Sequence, residues 1–342
     1  MKVAILGAGA WGTALAVTIA RGGGMTVTLG VRRRAHLEVI CASGENANYL
    51  PGIKLPATLA VVEDWSAAVS DADTVVIAVP SRFARAAIAP IARAIPARAM
   101  IISVTKGIEP DTLLTMTAMI REVIENASGA GQAEPVPAAD RVAALSGPGF
   151  AAEVARGRPA ALVAAAHDES VAGRVQTLFA VRPLRVYSSS DVVGVELGGA
   201  VKNVIAIAAG VSDGLDLGSS ARAALITRGL AEMMRLAVAA GARSETMAGL
   251  AGLGDLVLTC TGELSRNRAL GFRIGRGEAA PELADGAPVA EGVANALAIS
   301  KLAARIGVEM PIVSAVCRVL YEAAPAKAMV EELLSRQLKA EF

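Results

Sequence analysis

The sequence predicts an α/β domain with a mostly parallel sheet, followed by an all-α C-terminal domain. In the first half of the chain, short β-rich runs alternate with alanine-rich helical stretches. Most of these runs are apolar throughout, which is typical of parallel strands covered by helices on both faces. After about residue 190 the β-rich runs stop and long helical patterns follow. We therefore predict two domains, residues 1–190 and residues 191–342.

The individual elements follow in order from these patterns. The predicted strands are short apolar, β-branched runs, at residues 2–8, 25–31, 73–80, 99–107, 141–149, 160–166 and 183–189. The predicted helices have longer apolar periods, at residues 11–22, about 192–210, 218–241, 289–306 and 311–323. Helix stops are expected at Gly210, Gly241 and Gly307. Residues 125–140, rich in Ala, Gly and Pro, are expected to form a surface loop.

The composition argues against several classes of function. The net charge is +1, so the chain has no general attraction to nucleic acid or to an anionic membrane, and any anion site must be local. The three cysteines are scattered and include no CxxC pair, which fits reduced thiols in a cytoplasm. Only two histidines are present, so we expect neither a histidine-rich metal site nor a His-based triad.

An uncharged run near the start leaves a second interpretation open. Residues 3–20 carry no charge between Lys2 and Arg21, as in a signal peptide or a membrane span. Glycines interrupt this run at positions 7, 9 and 12, and they would weaken a hydrophobic helix. The same glycines suit a strand, a turn and a helix. We therefore expect a soluble cytoplasmic protein with no membrane partner.

The run "GAGAWG" at residues 7–12 is a GxGxxG motif between a predicted strand and a predicted helix. In a Rossmann-type domain Gly7 permits the tight turn, Gly9 lets the backbone approach a pyrophosphate, and Gly12 lets helix and strand pack closely. The helix N-terminus then offers N–H groups and a positive dipole end to the phosphates. The motif predicts dinucleotide binding; a plain glycine turn is the alternative.

The end of the second strand indicates which dinucleotide is bound. An NAD site usually has an acidic residue there, whereas this strand ends in "LGVRRR". Arginine suits a 2′-phosphate because its guanidinium is always charged and can donate two parallel hydrogen bonds to one phosphate. We therefore favour NADPH or NADP⁺, bound through Arg32 and Arg33, and keep NADH or NAD⁺ as the alternative. A solvated basic turn also explains such arginines, and Arg34 is expected to fit that description.

Two lysines, one in each predicted domain, are candidate functional residues. Lys106 follows the strand at residues 99–107, at the edge where ligands of such sheets bind, although a solvent-facing loop lysine is the alternative. Lys202 is the single cationic residue in the apolar run "ELGGAVKNVIAIAAGVSD". It can pack its stem and show its amine to solvent. Alternatively, it reaches a cleft, where a partly desolvated amine acts as an acid or a base.

Two polar stretches in the helical half are further candidates. Asp255 lies in "GLGDLVLTC" and can either cap the following helix or hold the ammonium of a catalytic lysine. The stretch "SRNR" places Ser265, Arg266 and Asn267 as successive donors at a helix start, which suits a small phosphoester. A capped helix with exposed arginines explains the same residues, and Arg268 is expected to fit that description.

Together these motifs resemble the bacterial-type NAD(P)-dependent glycerol-3-phosphate dehydrogenases, from Met1 to about Ala324. The resemblance is carried by "GAGAWGTALA" (7–16), "NANYLPGIKLP" (46–56), "SVTKGIE" (103–109), "LSGPGFAAEV" (145–154), residues 196–233, residues 249–271 and "VAEGVANA" (289–296). It implies the interconversion of sn-glycerol 3-phosphate and glycerone phosphate, with supply of glycerol 3-phosphate for phospholipid synthesis. A homodimer is expected from the resemblance alone.

The resemblance also implies roles for individual residues. Lys202 matches the proton acceptor for the C2 hydroxyl, and Lys106 matches a lysine that touches both substrate and cofactor. Further substrate positions are matched by Gly147, Gly149, Asp255, Ser265, Arg266 and Asn267. Further cofactor positions are matched by Ala10, Trp11, Ala151, Arg266, Val289 and Glu291.

The chain departs from the family pattern at Gly149, where Thr or Ser is usual, and at Gly30, where tryptophan is common. Two other functions remain open from the residues. A related NADPH-dependent reductase of 2-hydroxy or keto acids would share the architecture, although "SRNR" and the paired lysines favour a phosphorylated substrate. A non-catalytic NADPH-binding protein would share the glycine loop, although the intact Lys106, Lys202 and Asp255 argue against it.

Overall fold

Contacts within the chain divide it into two units, Met1–Glu196 and Leu197–Phe342. The structure is a computed structural model that describes residues 1–127, 141–280, 290–338, 340 and 341. The first unit is built on a sheet, and the second on helices.

An eight-stranded sheet forms the centre of the first unit. Its strand order is β3-β2-β1-β4-β5-β6-β7-β8, and every neighbouring pair is parallel except β6 and β7. The prediction of a mostly parallel sheet is confirmed. The strands are β1 Lys2–Leu6, β2 Thr26–Gly30, β3 Leu59–Val62, β4 Thr74–Ile77, β5 Met100–Ser103, β6 Val142–Ser146, β7 Ala160–Ala165 and β8 Leu184–Ser189.

Hydrophobic clusters cover both faces of this sheet. Along β1, Ile5 belongs to one cluster and Leu6 to the other, because successive side chains of a strand point to opposite faces. Val76 and Ile77 divide between the same clusters. The helices that supply these faces are α1 Ala10–Gly22, α2 Arg34–Ser43, α3 Trp65–Val69, α4 Ser81–Ile88, α5 Met116–Ala127, α6 Ala151–Ala155 and α7 Glu169–Phe179, with a 3₁₀ turn at Ala89–Ala94.

The described residues after β8 form helices and their connections. The helices are α8 Val192–Gly214, α9 Gly218–Ala239, α10 Ser244–Ala248, α11 Asp255–Thr261, α12 Arg266–Gly275, α13 Glu291–Ile306, α14 Pro311–Tyr321 and α15 Ala326–Leu334, with a π-helical turn at Leu250–Gly254. The prediction that the α/β part is followed by an all-α part is confirmed.

The expected helix stop at Gly210 is wrong. Helix α8 continues to Gly214, and Gly210 instead lies against the backbone of α12. A Cβ on Gly210 would come 2.0 Å from the carbonyl oxygen of Arg268, so this glycine allows two helices to approach closely. The other two stops are confirmed: Gly241 (φ +91°) lies just beyond α9, and Gly307 (φ +78°) caps α13 in the left-handed region.

The two apolar stretches that resemble membrane segments are largely buried in the structure. Residues 3–20, the uncharged run of the sequence, belong mainly to β1 and α1. Within the part of the chain that the structure describes, α8 is the one helix that is long and apolar enough to cross a membrane, and 89% of its most apolar window is buried. Core helices of soluble proteins have the same length and composition. Most of the predicted loop at 125–140 lies outside the described residues.

Candidate functional site

The glycine loop after β1 has the geometry that its motif predicts. Gly7 has a φ of +111°, and a Cβ there would meet the carbonyl oxygen of Ala78 at 2.5 Å. A Cβ on Gly12 would meet the carbonyl oxygen of Gly7 at 2.1 Å. By contrast, a Cβ on Gly9 would meet nothing within 4 Å, so this glycine leaves open space beside the loop. Two glycines are thus required by packing, and the third keeps a space free.

Helix α1 presents its N-terminus to that space. Gly9 is its N-cap, Ala10 and Trp11 are its first residues, and its first turn contains no acidic residue. The first N–H groups of a helix have no intrahelical acceptor and lie at the positive end of the helix dipole. The loop therefore fits a pyrophosphate, which needs donors and room and would be repelled by a carboxylate.

A buried asparagine, which the sequence analysis did not single out, holds the glycine loop in place. The side-chain nitrogen of Asn46 donates to the carbonyl oxygen of Ala8 and to Oγ1 of Thr13, both at 2.8 Å. Its Oδ1 lies 2.8 Å from Nε2 of His36. Asn46 belongs to the quoted motif "NANYLPGIKLP", but a single asparagine does not reveal in sequence which backbone it will bind.

The three arginines after β2 have different surroundings. Arg34 pairs with Glu38 at 3.1 Å and with Glu63 at 3.6 Å, so its charge is balanced. Nη2 of Arg33 lies 3.4 Å from the hydroxyl of Tyr49. The guanidinium of Arg32 lies 5.9 Å from the ring centre of Phe83. Arg34 is therefore the arginine least available to a ligand, and it begins α2 rather than lying in a turn.

Lys106 meets the glycine-rich segment that follows β6. Its Nζ donates to the carbonyl oxygen of Gly147 at 2.8 Å and lies 5.9 Å from the ring centre of Trp11. A Cβ on Gly149 would lie 3.2 Å from Cη2 of Trp11, so the ring occupies space close to that position. Ala151 begins α6 just beyond. The structure thus brings Lys106 and Trp11 together with Gly147 and Gly149, although these four residues come from three separate motifs.

The indole nitrogen of Trp11 is also informative. It is buried and has no hydrogen-bond partner among the described residues. A buried polar atom without a partner is costly, and such an atom in a native site calls for an explanation. An orphaned donor beside the phosphate loop is consistent with a ligand in this region.

The loop that carries Lys106 is anchored on both sides. Thr105 donates its hydroxyl to the carbonyl oxygen of Val79 at 2.7 Å. Glu109 accepts two hydrogen bonds of 2.8 Å from Arg85, which holds the pKa of the Glu109 carboxyl below its ordinary value. Such a bidentate pair fixes orientation as well as charge, so Lys106 lies between two fixed points.

Gly30 has a neighbour that explains its small size. A Cβ at this position would come 2.9 Å from Nε1 of Trp65, the first residue of α3. The indole therefore fills part of the space that a larger residue at position 30 would need.

In the second unit, Lys202 is held by an acidic and a hydroxyl side chain. Its Nζ donates to Oδ1 of Asp255 at 2.6 Å and to Oγ1 of Thr259 at 2.7 Å. The hydroxyl of Thr259 donates to the carbonyl oxygen of Asp255 at 2.6 Å. Lys202 and Asp255 are both buried, at 7% and 1% side-chain exposure. The alternative in which Lys202 shows its amine to solvent is therefore wrong.

Asp255 is the first residue of α11, whose N-cap is Gly254, and the helix has no side-chain cap. The capping alternative for Asp255 is therefore also wrong. Thr259 lies one helical turn later, so its hydroxyl reaches the same amine. Thr259 was not predicted from the sequence, although its i, i+4 spacing from Asp255 is a usable signal on a helix.

The "SRNR" stretch begins α12. Oγ of Ser265, the N-cap residue, accepts from the N–H of Arg268 at 3.2 Å. The side-chain nitrogen of Asn267 donates to Oδ1 of Asn203, and its oxygen accepts from the N–H of Gly292, both at 2.9 Å. Asn267 thus contacts Asn203, the residue that follows Lys202 on α8.

The two arginines of this stretch differ. Arg266 is exposed and has no polar partner in the described part of the chain. Arg268, expected to be exposed, is instead partly buried and pairs with Asp213 at 2.7 Å. That expectation is wrong because Arg268 lies on the side of α12 that packs against α8. Glu291 begins α13, whereas Val289 lies outside the described residues.

The remaining titratable groups near Lys202 do not suggest other chemistry. Burial raises the pKa of Cys260 to about 12, so it stays a thiol at neutral pH. The described residues contain no group of three or more His, Cys, Asp or Glu side chains that could hold a metal ion.

Comparison with known proteins gives consistent matches over the whole chain. Residues 2–172 match the family model described as NAD-dependent glycerol-3-phosphate dehydrogenase N-terminus, and residues 191–331 match the corresponding C-terminus model. The chain is 49% identical over 341 residues to a protein of Geobacter sp. (strain M21), covering 99% of this chain and 98% of that one. It is 48% identical to a protein of Anaeromyxobacter dehalogenans (strain 2CP-C), with both chains fully covered. Both relatives are named glycerol-3-phosphate dehydrogenase [NAD(P)+].

A solved structure agrees with these matches. The crystal structure of glycerol-3-phosphate dehydrogenase from Coxiella burnetii superposes with a TM-score of 0.89 at 39% identity. The superposition covers 98% of this chain and 99% of that chain.

Proposed function

Since the chain belongs to the NAD-dependent glycerol-3-phosphate dehydrogenase family and is an NAD(P)-linked oxidoreductase that interconverts sn-glycerol 3-phosphate and glycerone phosphate, we propose that Lys202 accepts the proton of the C2 hydroxyl. The observation that carries this proposal is the double contact of its Nζ with Asp255 and Thr259. The experiment that tests it replaces Lys202 and separates turnover from cofactor binding.

The local chemistry explains how Lys202 can take up a proton. A neutral amine has two N–H groups to donate to the two acceptors and a lone pair for the incoming proton. The ammonium that results lies beside the Asp255 carboxylate, which stabilises the new charge. In the reduction direction the same ammonium returns the proton to the substrate oxygen. Asp255 and Thr259 therefore orient the Lys202 amine in both the oxidation and the reduction reaction.

The glycine loop and its neighbours supply the proposed cofactor site. The N–H groups of Ala10 and Trp11 would bind the pyrophosphate beside Gly9, and Arg32 and Arg33 would bind a 2′-phosphate. When bound, the nicotinamide donates or accepts the hydride. Lys106, Ala151, Arg266, Val289 and Glu291 are the further cofactor contacts that we propose from the family resemblance. The basic end of β2 favours NADPH over NADH.

The substrate phosphate is assigned to the start of α12. Arg266 is exposed without a polar partner among the residues described, and its guanidinium can donate two hydrogen bonds to one phosphate. Asn267 uses one N–H for Asn203 and has a second N–H on the same nitrogen. Ser265 adds a hydroxyl. Lys106, Gly147 and Gly149 are proposed as the substrate contacts of the first unit, where backbone N–H groups replace the usual hydroxyl at position 149.

The setting of the enzyme is also a proposal. We propose a cytoplasmic protein, active as a homodimer, with no nucleic-acid or membrane partner. The net charge of +1 supports the absence of a general electrostatic attraction to either polyanion. Its product would supply the glycerol backbone for phospholipids.

The substrate assignment is tested by following oxidation of the reduced nicotinamide spectroscopically. The purified protein is assayed with glycerone phosphate and with unphosphorylated 2-keto acids, each with NADPH and with NADH. We expect turnover with glycerone phosphate and higher kcat/KM with NADPH. Efficient reduction of a keto acid without turnover of glycerone phosphate would overturn the assignment.

A further inference from the structure

Two arginines from different elements share one aromatic ring in the first unit. The guanidinium of Arg82, at the start of α4, lies 4.4 Å from the ring centre of Phe83. The guanidinium of Arg32, just after β2, lies 5.9 Å from the same ring centre. Phe83 itself packs against the hydrophobic cluster on its side of the sheet. A ring packed against the core therefore lies close to two guanidinium groups from different elements.

Neither charge is balanced within the described residues. Arg32 and Arg82 make no hydrogen bond or ion pair in the portion of the chain that the structure describes, whereas the nearby acids Glu38 and Glu63 both pair with Arg34. Two like charges beside one ring, with no carboxylate to balance them, repel one another. The arrangement becomes favourable when an anion lies between them, since a phosphate accepts hydrogen bonds from both.

The position of this pair in the sheet identifies the anion. Strand β1 lies between β2 and β4, so the glycine loop after β1 lies between the segments that carry Arg32 and Arg82. In such sheets the ribose next to the adenine binds beside the end of β2, and arginines there accommodate a 2′-phosphate. The contact between Arg32 and Phe83 brings the start of α4 to that same end of β2.

We propose that Arg82 is a second binding residue for the 2′-phosphate of NADP(H) and a determinant of the preference for NADP(H) over NAD(H). Arg32 and Arg82 bind the phosphate from two sides, and Phe83 keeps both guanidiniums in place. The inference rests on the cofactor site of the proposed function and adds a residue that does not lie in the β2 segment.

The test uses binding rather than turnover. Adenosine 2′,5′-bisphosphate and AMP differ only in the 2′-phosphate, and calorimetric titration gives their affinities for the whole protein. In Arg82→Gln we expect the affinity for the bisphosphate to fall roughly 10- to 100-fold, because a hydrogen bond to a charged group is lost. The affinity for AMP should stay within about twofold. Arg82→Lys, which keeps the charge but loses the fork, should fall between Arg82→Gln and the unmodified protein.

Arg98→Gln is the matched control. Arg98 is exposed and precedes β5, so it lies at the opposite, amino-terminal edge of the sheet. Its loss removes the same charge from the same unit and should change neither affinity. Thermal unfolding of each variant shows whether the fold is kept.

Two results would overturn the proposal. One is an Arg82→Gln protein that is folded and binds the bisphosphate as tightly as the unmodified protein. The other is an equal loss of affinity for both nucleotides, which would give Arg82 no role specific to the 2′-phosphate. No substrate enters this assay, so a failure to reduce glycerone phosphate would overturn the proposed function and leave this inference intact.

Discussion

Lys202 and Asp255 form a buried ion pair in the helical unit, with Nζ and Oδ1 2.6 Å apart. The pair explains why a cationic residue can lie in the apolar run that forms α8. Burying an ammonium alone is costly, but a carboxylate at hydrogen-bond distance offsets much of that cost. The apolar neighbours bury the helix, and the partner on α11 comes from a stretch more than fifty residues later.

Replacing Lys202 with Ala is expected to abolish turnover while leaving the affinity for NADPH nearly unchanged. The proton acceptor is lost, whereas the glycine loop and the basic end of β2 remain intact. Single-turnover kinetics and cofactor titration measure the two effects separately. Lys301, an exposed lysine on α13, provides the control variant Lys301→Ala, which should keep full activity. Normal turnover in Lys202→Ala would refute the role of Lys202.

Thr259→Val is expected to lower kcat by roughly tenfold, because it removes an oxygen that holds the Lys202 amine. The change also removes the hydroxyl that donates to the carbonyl oxygen of Asp255. Thr259→Ser keeps the hydroxyl and should retain most of the activity. The pH dependence of kcat should shift in the valine variant and not in the serine variant, since only a changed environment of the amine affects it. Identical pH profiles in both variants would leave Thr259 with a packing role only.

The order of the two units and most strands could be predicted because parallel strands buried on both faces are apolar throughout. Strand β3, which was missed, has four residues, pairs with one neighbour and is partly exposed, so its pattern is weak. Gly210 was wrongly predicted as a helix stop. The sequence alone does not distinguish a glycine that lets a neighbouring helix approach from one that ends a helix.

The candidate site shows the same division between local and non-local information. The glycine loop can be predicted because its residues are close in the sequence and have a fixed spacing. Asn46 and Phe83 contact partners brought in by the fold, namely the backbone of Ala8 and the guanidinium of Arg32. Contacts of this kind have no fixed spacing in the sequence, so residue type gives no indication of them.

Gly9 and Gly12 are expected to respond differently to alanine. In Gly12→Ala the new Cβ would lie 2.1 Å from the carbonyl oxygen of Gly7, so the loop must distort and stability should fall by about 1–3 kcal/mol. In Gly9→Ala the Cβ enters open space, so stability should be kept while the affinity for NADPH falls. Thermal unfolding and calorimetric titration distinguish the two outcomes. If Gly9→Ala binds NADPH as tightly as the unmodified protein, the pyrophosphate does not lie beside Gly9.

Glu232 is a buried carboxyl that should make the stability of the protein depend on pH. It is 3% exposed and accepts hydrogen bonds from the N–H groups of Ile312 and Val313, at 2.8 and 3.3 Å, at the start of α14. Burial raises its pKa from 4.5 to about 7, and the two backbone donors and the nearby Arg235 and Arg336 only partly oppose this. The folded protein therefore holds a proton on Glu232 that the unfolded chain releases.

The sign of the pH effect follows from that difference in bound protons. Between pH 4.5 and about 7 the folded state binds more protons than the unfolded state, so stability contributed by Glu232 falls as the pH rises. The loss amounts to about 3 kcal/mol over this range and levels off above it. In Glu232→Gln this contribution is absent, so the variant should gain stability relative to the unmodified protein from pH 5 to pH 8.

Urea unfolding at several pH values measures the free energy of unfolding of both proteins. The difference between them isolates Glu232, because titratable groups common to both proteins cancel. Glu331→Gln, at an exposed position on α15, should follow the unmodified protein throughout. A constant difference between Glu232→Gln and the unmodified protein across this range would mean that Glu232 keeps its ordinary pKa in the folded state.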